Sequence, residues 1–144
     1  MKYSVSIDIH MPRDRVSELF LDPTRIKEWQ ESFVSMEHVS GDAGQPGNVH
    51  KLRHKMGKRE MEMIETIQEN DMPHRFVATY ETKGVWNIVE NEFSDNPDGG
   101  THWHINTEFR CSGFLKLMTW LAPGMFKKQT AKMQSDFKDF AETQ

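Results

Sequence analysis

The carboxy-terminal stretch constrains the fold of this chain more than any other part. From about residue 113 to 143 apolar residues recur at helical spacing, after a long run whose period is two. The apolar stripe of the main segment consists of Phe126, Thr130, Met133, Phe137 and Phe140. Such a stripe predicts an amphipathic helix. Because one helix cannot bury its own apolar face, we expect it to pack on a sheet formed by the preceding strands.

The preceding residues alternate apolar and polar side chains with the period of β-strands. A first strand is predicted by the alternation from Tyr3 to Ile9. Six further strands are predicted at 33–40, 48–56, 59–69, 74–82, 85–94 and 101–111. The connections between these six are short and rich in glycine, proline and asparagine, so we expect antiparallel neighbours.

Two short helices are predicted between the first and second strands. Pro12 can begin the first of them. Asp22 followed by Pro23 can cap the second, whose buried side would carry Trp29.

The carboxy-terminal helical region is predicted to consist of two pieces. Pro123 and Gly124 interrupt it, which indicates a short helix over 114–121 and a main helix over about 124–142. Phe137 lies near the middle of the main stripe, and we predict that it is a buried anchor of this helix.

Length and charge exclude several classes of protein. The 144 residues predict one domain, 1–144, with a sizeable core. The mixed charge and modest apolar content are typical of a soluble globular chain. A net charge of −4 gives no reason to expect nucleic acid or an anionic membrane surface as a partner.

The single cysteine and the amino terminus bear on the compartment. Cys111 has no partner for an intrachain disulfide, which fits a reducing environment. The first residues alternate instead of forming the apolar core of a signal peptide, and no apolar run is long enough to span a bilayer. We therefore expect a cytoplasmic protein without membrane insertion.

The order of strand, two short helices, six strands and long helix resembles the START-like, helix-grip (SRPBCC) superfamily, in its bacterial polyketide cyclase/dehydrase-like branch. Sparse motifs support the resemblance: Val5-x-Ile7-x-Ile9, Asp22 followed by Trp29, Gly47, Glu65-x-Ile67 before Pro73, and Gly100-Thr101-x-Trp103. The resemblance implies an α+β fold in which a seven-stranded curved antiparallel sheet wraps round the long carboxy-terminal helix. It also implies a cavity between the two. No Gly-rich phosphate loop or covalent cofactor motif appears in the sequence, so no cofactor is expected.

Strand alternation nominates side chains for the wall of that cavity. The chain has ten methionines, whose flexible thioethers suit a wall that adapts to irregular apolar ligands, although they also fill gaps in ordinary cores. Aromatic and polar residues at inward positions complete the candidate set. The predicted ligand-binding residues are Trp29, His54, Met56, Met63, Glu65, Tyr80, Asn91, Phe93, Trp103 and Met133.

Seven histidines raise the question of a metal site. His102 and His104 share one face of the seventh strand, and His50 and His54 share one face of the third. Zinc takes three or four ligands, and no cysteine cluster or His-Glu-x-x-His helix completes a set. The family's topology separates these two strands, so we predict no metal and place His102 and His104 on the outer face.

Two functions from different classes remain open. The first is binding of a hydrophobic small molecule, lipid-, polyketide- or aromatic-like, without chemistry. The second is a cofactor-free cyclase or dehydratase, because Glu65 and Tyr80 could exchange protons with a substrate in an apolar pocket. A protein-interaction or quinone-linked role is a third. Convergence of titratable groups would favour the enzyme. The expected oligomeric state is monomer or homodimer.

Overall fold

The computed structural model describes all residues from 1 to 144. Its strands are β1 (Lys2–Ile9), β2 (Phe33–Ser40), β3 (Val49–Met56), β4 (Arg59–Asp71), β5 (Arg75–Thr82), β6 (Val85–Asp95) and β7 (Thr101–Cys111). Its helices are α1 (Arg13–Leu21), α2 (Gly113–Leu121) and α3 (Pro123–Glu142), with one 3₁₀ turn at Ile26–Glu28.

The seven strands form one antiparallel sheet in the order β1-β7-β6-β5-β4-β3-β2. Tight connections make β2 to β7 a continuous meander, and β1 pairs with β7 at the far edge. This arrangement confirms the predicted helix-grip fold, because α3 follows β7 and the short α2 and returns across the sheet beside β1. No helix is long and apolar enough to cross a membrane.

The second predicted helix is wrong in extent, because only the 3₁₀ turn forms there. Asp22 Oδ1 accepts hydrogen bonds from the Thr24 backbone N–H, at 2.9 Å, and from the Thr24 hydroxyl, at 2.6 Å. The side chain therefore closes a local Asx turn instead of capping a longer helix.

The main core lies between α3, α1 and the half of the sheet formed by β1, β7 and β6. Trp103 and Phe137 are 0% exposed, and their rings meet edge to face with centroids 5.3 Å apart. Phe20, Trp29 and Phe93 complete this aromatic cluster. The burial of Phe137 confirms its predicted place as the anchor of the helix.

Only the carboxy-terminal half of α3 is buried. Its buried residues are Gln134, Phe137, Phe140 and Ala141, whereas α2 has none. Gln134 Nε2 donates to the Trp103 carbonyl oxygen at 3.2 Å and ties this half of the helix to β7. The amino-terminal half of α3, residues 123–133, passes over the sheet without a fully buried side chain.

Candidate functional site

A line of polar side chains crosses the inner face of the sheet, the face that α3 covers. Cross-strand partners lie directly opposite one another, so residues linked by the register share a face. The line runs through β2 to β6 and consists of His38, His50, Glu65, Tyr80 and Asn87. We call this set the polar row. It ends at Phe109 on β7, beneath the amino-terminal half of α3.

Three members of the polar row converge at its centre. His50 Nδ1 lies 3.1 Å from Glu65 Oε1, and each side chain is 14% exposed. The Glu65 carboxylate also adjoins the Tyr80 hydroxyl. Burial, reinforced by the Glu65 charge, raises the pKa of Tyr80 well above its ordinary value of 10.0. Tyr80 therefore remains a neutral hydrogen-bond donor at neutral pH.

The ends of the polar row are held by neighbouring polar groups. Asn87 Nδ2 donates to Thr107 Oγ1 at 2.7 Å. His38 Nε2 lies 2.7 Å from the Gly41 carbonyl oxygen, and its ring centroid is 6.0 Å from that of His50. The row is thus fixed at both ends.

Apolar side chains border the polar row on β3 and β4. Leu52 is buried and pairs with Met63, and Met61 pairs with His54, the next inward residue of β3. Met61 and Met63 are half-buried. Together with the polar row, these residues form a surface that we call the groove, and at its β7 end Phe126 of α3 packs on Phe109.

Four of the predicted ligand residues lie in the closed core instead of the groove. Phe93 stacks on Trp103 with centroids 5.5 Å apart, and Trp103 Nε1 donates to Asn91 Oδ1 at 3.0 Å. Asn91 Nδ2 in turn donates to the Phe76 carbonyl oxygen at 3.2 Å, so its amide is satisfied by the protein. Trp29 packs on the same aromatic cluster, but its indole N–H is buried without a hydrogen-bond partner.

Three other predicted residues take different positions. Met56 is 49% exposed at the end of β3, because the strand runs past the region that α3 covers, and it does not contribute to the wall. His54 is buried with Nδ1 3.0 Å from Ser32 Oγ, and burial lowers the pKa of its imidazole. Met133 is half-buried against the core, at the boundary with the groove.

The structure adds His38 and Asn87 to the candidate site. Sequence alternation misses His38 because a β-bulge between Phe33 and Ser35 reverses the faces of β2. Asn87 lies on the same face of β6 as Asn91, so strand alternation could have identified it from the sequence. The register places it opposite Tyr80.

Two surface depressions lie away from the groove. One, of about 410 Å³, is lined chiefly by outer-face residues that include Ser4, Glu90 and Asn106. The other, of about 310 Å³, lies beside Pro12 and Gly99. Neither contains a predicted ligand residue.

No group of three or more histidine, cysteine, aspartate or glutamate side chains is arranged to hold a metal ion. His102 lies on the outer face, with Nδ1 2.8 Å from Asp8 Oδ1. His104 stacks beside it with ring centroids 6.5 Å apart. These two histidines therefore belong to the surface, as their alternation with Trp103 predicts.

The profile of a family described as polyketide cyclase / dehydrase and lipid transport matches residues 1–139. The chain belongs to this family. The match confirms the START-like assignment, and it covers both the groove and the closed core. No curated protein matches the sequence.

Solved structures confirm the helix-grip fold. A conserved protein from Geobacillus kaustophilus aligns with a TM-score of 0.81 at 13% identity, over 99% of this chain and 96% of its own. TTHA0849 from Thermus thermophilus aligns with a TM-score of 0.79 at 14% identity, over 99% and 98%. Ara h 8.0201 aligns with a TM-score of 0.79 at 12% identity, over 100% and 99%. At such identities the likeness concerns the fold alone.

Proposed function

We propose that this protein binds a hydrophobic small molecule, lipid-, polyketide- or aromatic-like, in the groove between β3–β5 and the amino-terminal half of α3. The observation that carries the proposal is the incomplete packing of α3 on the sheet. None of residues 123–133 is buried, and Met61, Met63 and Tyr80 on the inner face of β4 and β5 are only half-buried. Covering such surface with an apolar ligand is favourable.

The composition of the groove suits recognition of such a ligand. Met61, Met63 and Met133 provide flexible apolar contacts that adapt to irregular shapes. Glu65 and Tyr80 provide an acceptor and a donor that can orient one polar group. Apolar walls with few polar atoms are the usual make-up of small-molecule sites.

A second candidate function is a cofactor-free cyclase or dehydratase. The convergence of His50, Glu65 and Tyr80 favours it. In this mechanism Glu65, held by His50, accepts a proton from carbon next to a substrate carbonyl. Tyr80 donates a hydrogen bond to the carbonyl oxygen as negative charge develops there. If the protein binds such compounds without converting them, the binding proposal alone accounts for the result.

The binding proposal is tested by titrating the protein with an apolar fluorescent dye and with fatty and flavonoid-like compounds. We expect saturable binding with Kd of about 1 μM, or about −8 kcal/mol. Met63→Glu places a charge in the groove and should weaken binding by about tenfold or more. Met56→Glu is the matched control at an exposed position of the same face, and its Kd should remain within about twofold. Equal effects of the two variants would contradict the proposed location.

Turnover separates the two functions. Glu65→Gln and Tyr80→Phe remove the proton acceptor and the donor, and Glu60→Gln is the control on the exposed outer face of β4. Aromatic polyketide-like compounds are incubated with each variant, and products are followed by mass spectrometry. Loss of product in both groove variants, with dye binding retained, would establish the enzyme. Binding without product in the wild type would leave the carrier function.

A further inference from the structure

The surface of α2 and of the start of α3 is apolar and exposed. Trp120 is 79% exposed, Phe114 72% and Leu121 64%, and Leu117 and Met125 are about half exposed. These five residues are large side chains that a protein rarely leaves in water as a group. We call them the apolar patch.

Helical spacing gathers the patch on one side of α2. Phe114, Leu117 and Leu121 are three, four and seven residues apart, and Trp120 extends the same arc. Leu115 and Met118, on the opposite side, are half-buried against the protein. The exposure is therefore directional, and the arc faces away from the fold.

Positive charge is concentrated around the apolar patch. Between residues 110 and 135 the chain has five basic residues and no acidic residue: Arg110, Lys116, Lys127, Lys128 and Lys132. The rest of the chain has 13 basic and 22 acidic residues, a formal charge of −9. Arg110 pairs with Glu108 and Lys132 with Asp136, whereas Lys116, Lys127 and Lys128 form no ion pair.

Other basic side chains reach the same end of the sheet. The β5–β6 turn contains Lys83, and a side chain built at Gly84 would lie 3.5 Å from Leu115 of α2. The register places the β3–β4 turn, with Lys58, at this end as well. The unpaired acidic residues nearby are Glu60 and Glu81, both on the outer face, and Glu31, whose charge acts on Lys132. The positive charge thus outweighs the negative charge at this end.

We propose that the apolar patch docks on the surface of an anionic phospholipid bilayer. In this pose α2 lies in the plane of the interface, with Trp120, Phe114 and Leu121 among the headgroups and upper acyl chains. Lys116, Lys127 and Lys128 meet the lipid phosphates. The bilayer is favoured over a second copy, because a two-fold contact would bring identical lysines together.

The docking does not span the membrane, and it does not depend on the proposed function. It differs from the expectation drawn from the net charge of −4, because that total hides a basic segment within an acidic chain.

Co-sedimentation of ligand-free protein with vesicles tests the charge requirement. We expect binding to phosphatidylcholine vesicles that contain phosphatidylglycerol, weakened at high salt, and little binding to phosphatidylcholine alone. Lys127→Gln combined with Lys128→Gln should reduce the partition coefficient by about tenfold or more. Arg15→Gln combined with Lys27→Gln, at exposed positions on α1 and on the 3₁₀ turn, is the matched control and should have little effect. Equal binding to both vesicle types would overturn the proposal.

The apolar contact has its own readout. Trp120 fluorescence should shift to the blue with anionic vesicles and be quenched by brominated lipid, and Trp120→Phe should abolish both signals. Leu121→Ser should weaken partitioning by about tenfold, whereas Val39→Ser, an exposed position on β2, should not. Absence of vesicle binding would overturn the proposal. A dimer seen by sedimentation velocity that Leu121→Ser dissociates, with no binding to lipid, would overturn it as well. All changes are at exposed positions, and circular dichroism verifies folding.

Discussion

The two halves of α3 face the same sheet with different results. Around Phe137 the helix closes on an aromatic core, whereas around Phe126 it stands over the polar row and buries little. The strands beneath explain the contrast. The register row Ile7–Trp103–Phe93 is apolar, and the row His50–Glu65–Tyr80 is polar.

This difference shows what decides where a helix grip closes. An apolar helix face gains free energy by covering Trp103 and Phe93. Covering Glu65 and His50 in the same way would desolvate polar groups without giving them new partners. The groove is therefore a consequence of the polar row, and a ligand with one polar group could cover it more favourably than the helix does.

The largest expected effect comes from removing the anchor of the closed half. Phe137→Ala should lower the free energy of unfolding by about 3–5 kcal/mol, because it opens a cavity among packed rings. Phe126→Ala, at the half-exposed end of the same stripe, should lower it by about 1 kcal/mol. Chemical denaturation of both variants measures the contrast. Equal losses would show that the two halves are equally closed.

The next effect concerns the polar pair inside the closed half. Asn91→Ala leaves the Trp103 indole N–H without its acceptor in a fully buried place. We expect a loss of about 2 kcal/mol in unfolding free energy, the usual cost of an orphaned buried donor. Asn91→Asp keeps an acceptor and separates the missing hydrogen bond from lost packing, provided its stability is measured at several pH values.

His54 makes stability depend on pH. Burial lowers the pKa of His54 in the folded protein below its ordinary value of 6.5, so the unfolded chain binds the proton more readily. This contribution to stability is present above about pH 6.5 and is lost as the pH falls below it. His54→Gln should lose less stability between pH 7.5 and 5.5 than the wild type. Parallel pH profiles would contradict the assignment.

The smallest effect on stability is expected at the centre of the groove. Tyr80→Phe should change the unfolding free energy by less than about 1 kcal/mol, because the hydroxyl contributes one polar contact. Since the pKa of Tyr80 is well above 10.0, its ionisation should be missing from an absorbance titration of the folded protein near pH 10. A Tyr80 phenol that titrates normally would place the hydroxyl in water.

Much of the fold follows from local sequence pattern. Alternation placed β7 at 101–111 and assigned Trp103 and Phe109 to the inner face, which the register confirms. Helical spacing identified Phe137 as buried. Both predictions succeed because apolar side chains that avoid water recur every two residues along a strand and every 3.6 residues along a helix.

The site was less predictable, because inward positions do not distinguish core from groove. Trp103 and Tyr80 both point to the inner face of the sheet. Only packing against α3 determines that Trp103 is buried in the core and that Tyr80 lies in the groove. The bulge at Phe33/Ser35 hid His38, since one extra residue reverses every later face. The exposed apolar side of α2 was also hidden, because helical spacing does not say which face of a helix meets the protein.

The methionines provide the most direct test of the central claim that one half of the grip binds an apolar ligand and the other is closed. Met61 and Met63 lie in the groove, whereas Met11 and Met72 pack on the core. Methyl NMR of methionine-labelled protein, titrated with an apolar aromatic compound, reads both halves in one experiment. We predict saturable shifts at Met61 and Met63, with Met11 and Met72 unchanged. Shifts confined to Met11 and Met72, or no shift at any methionine, would contradict it.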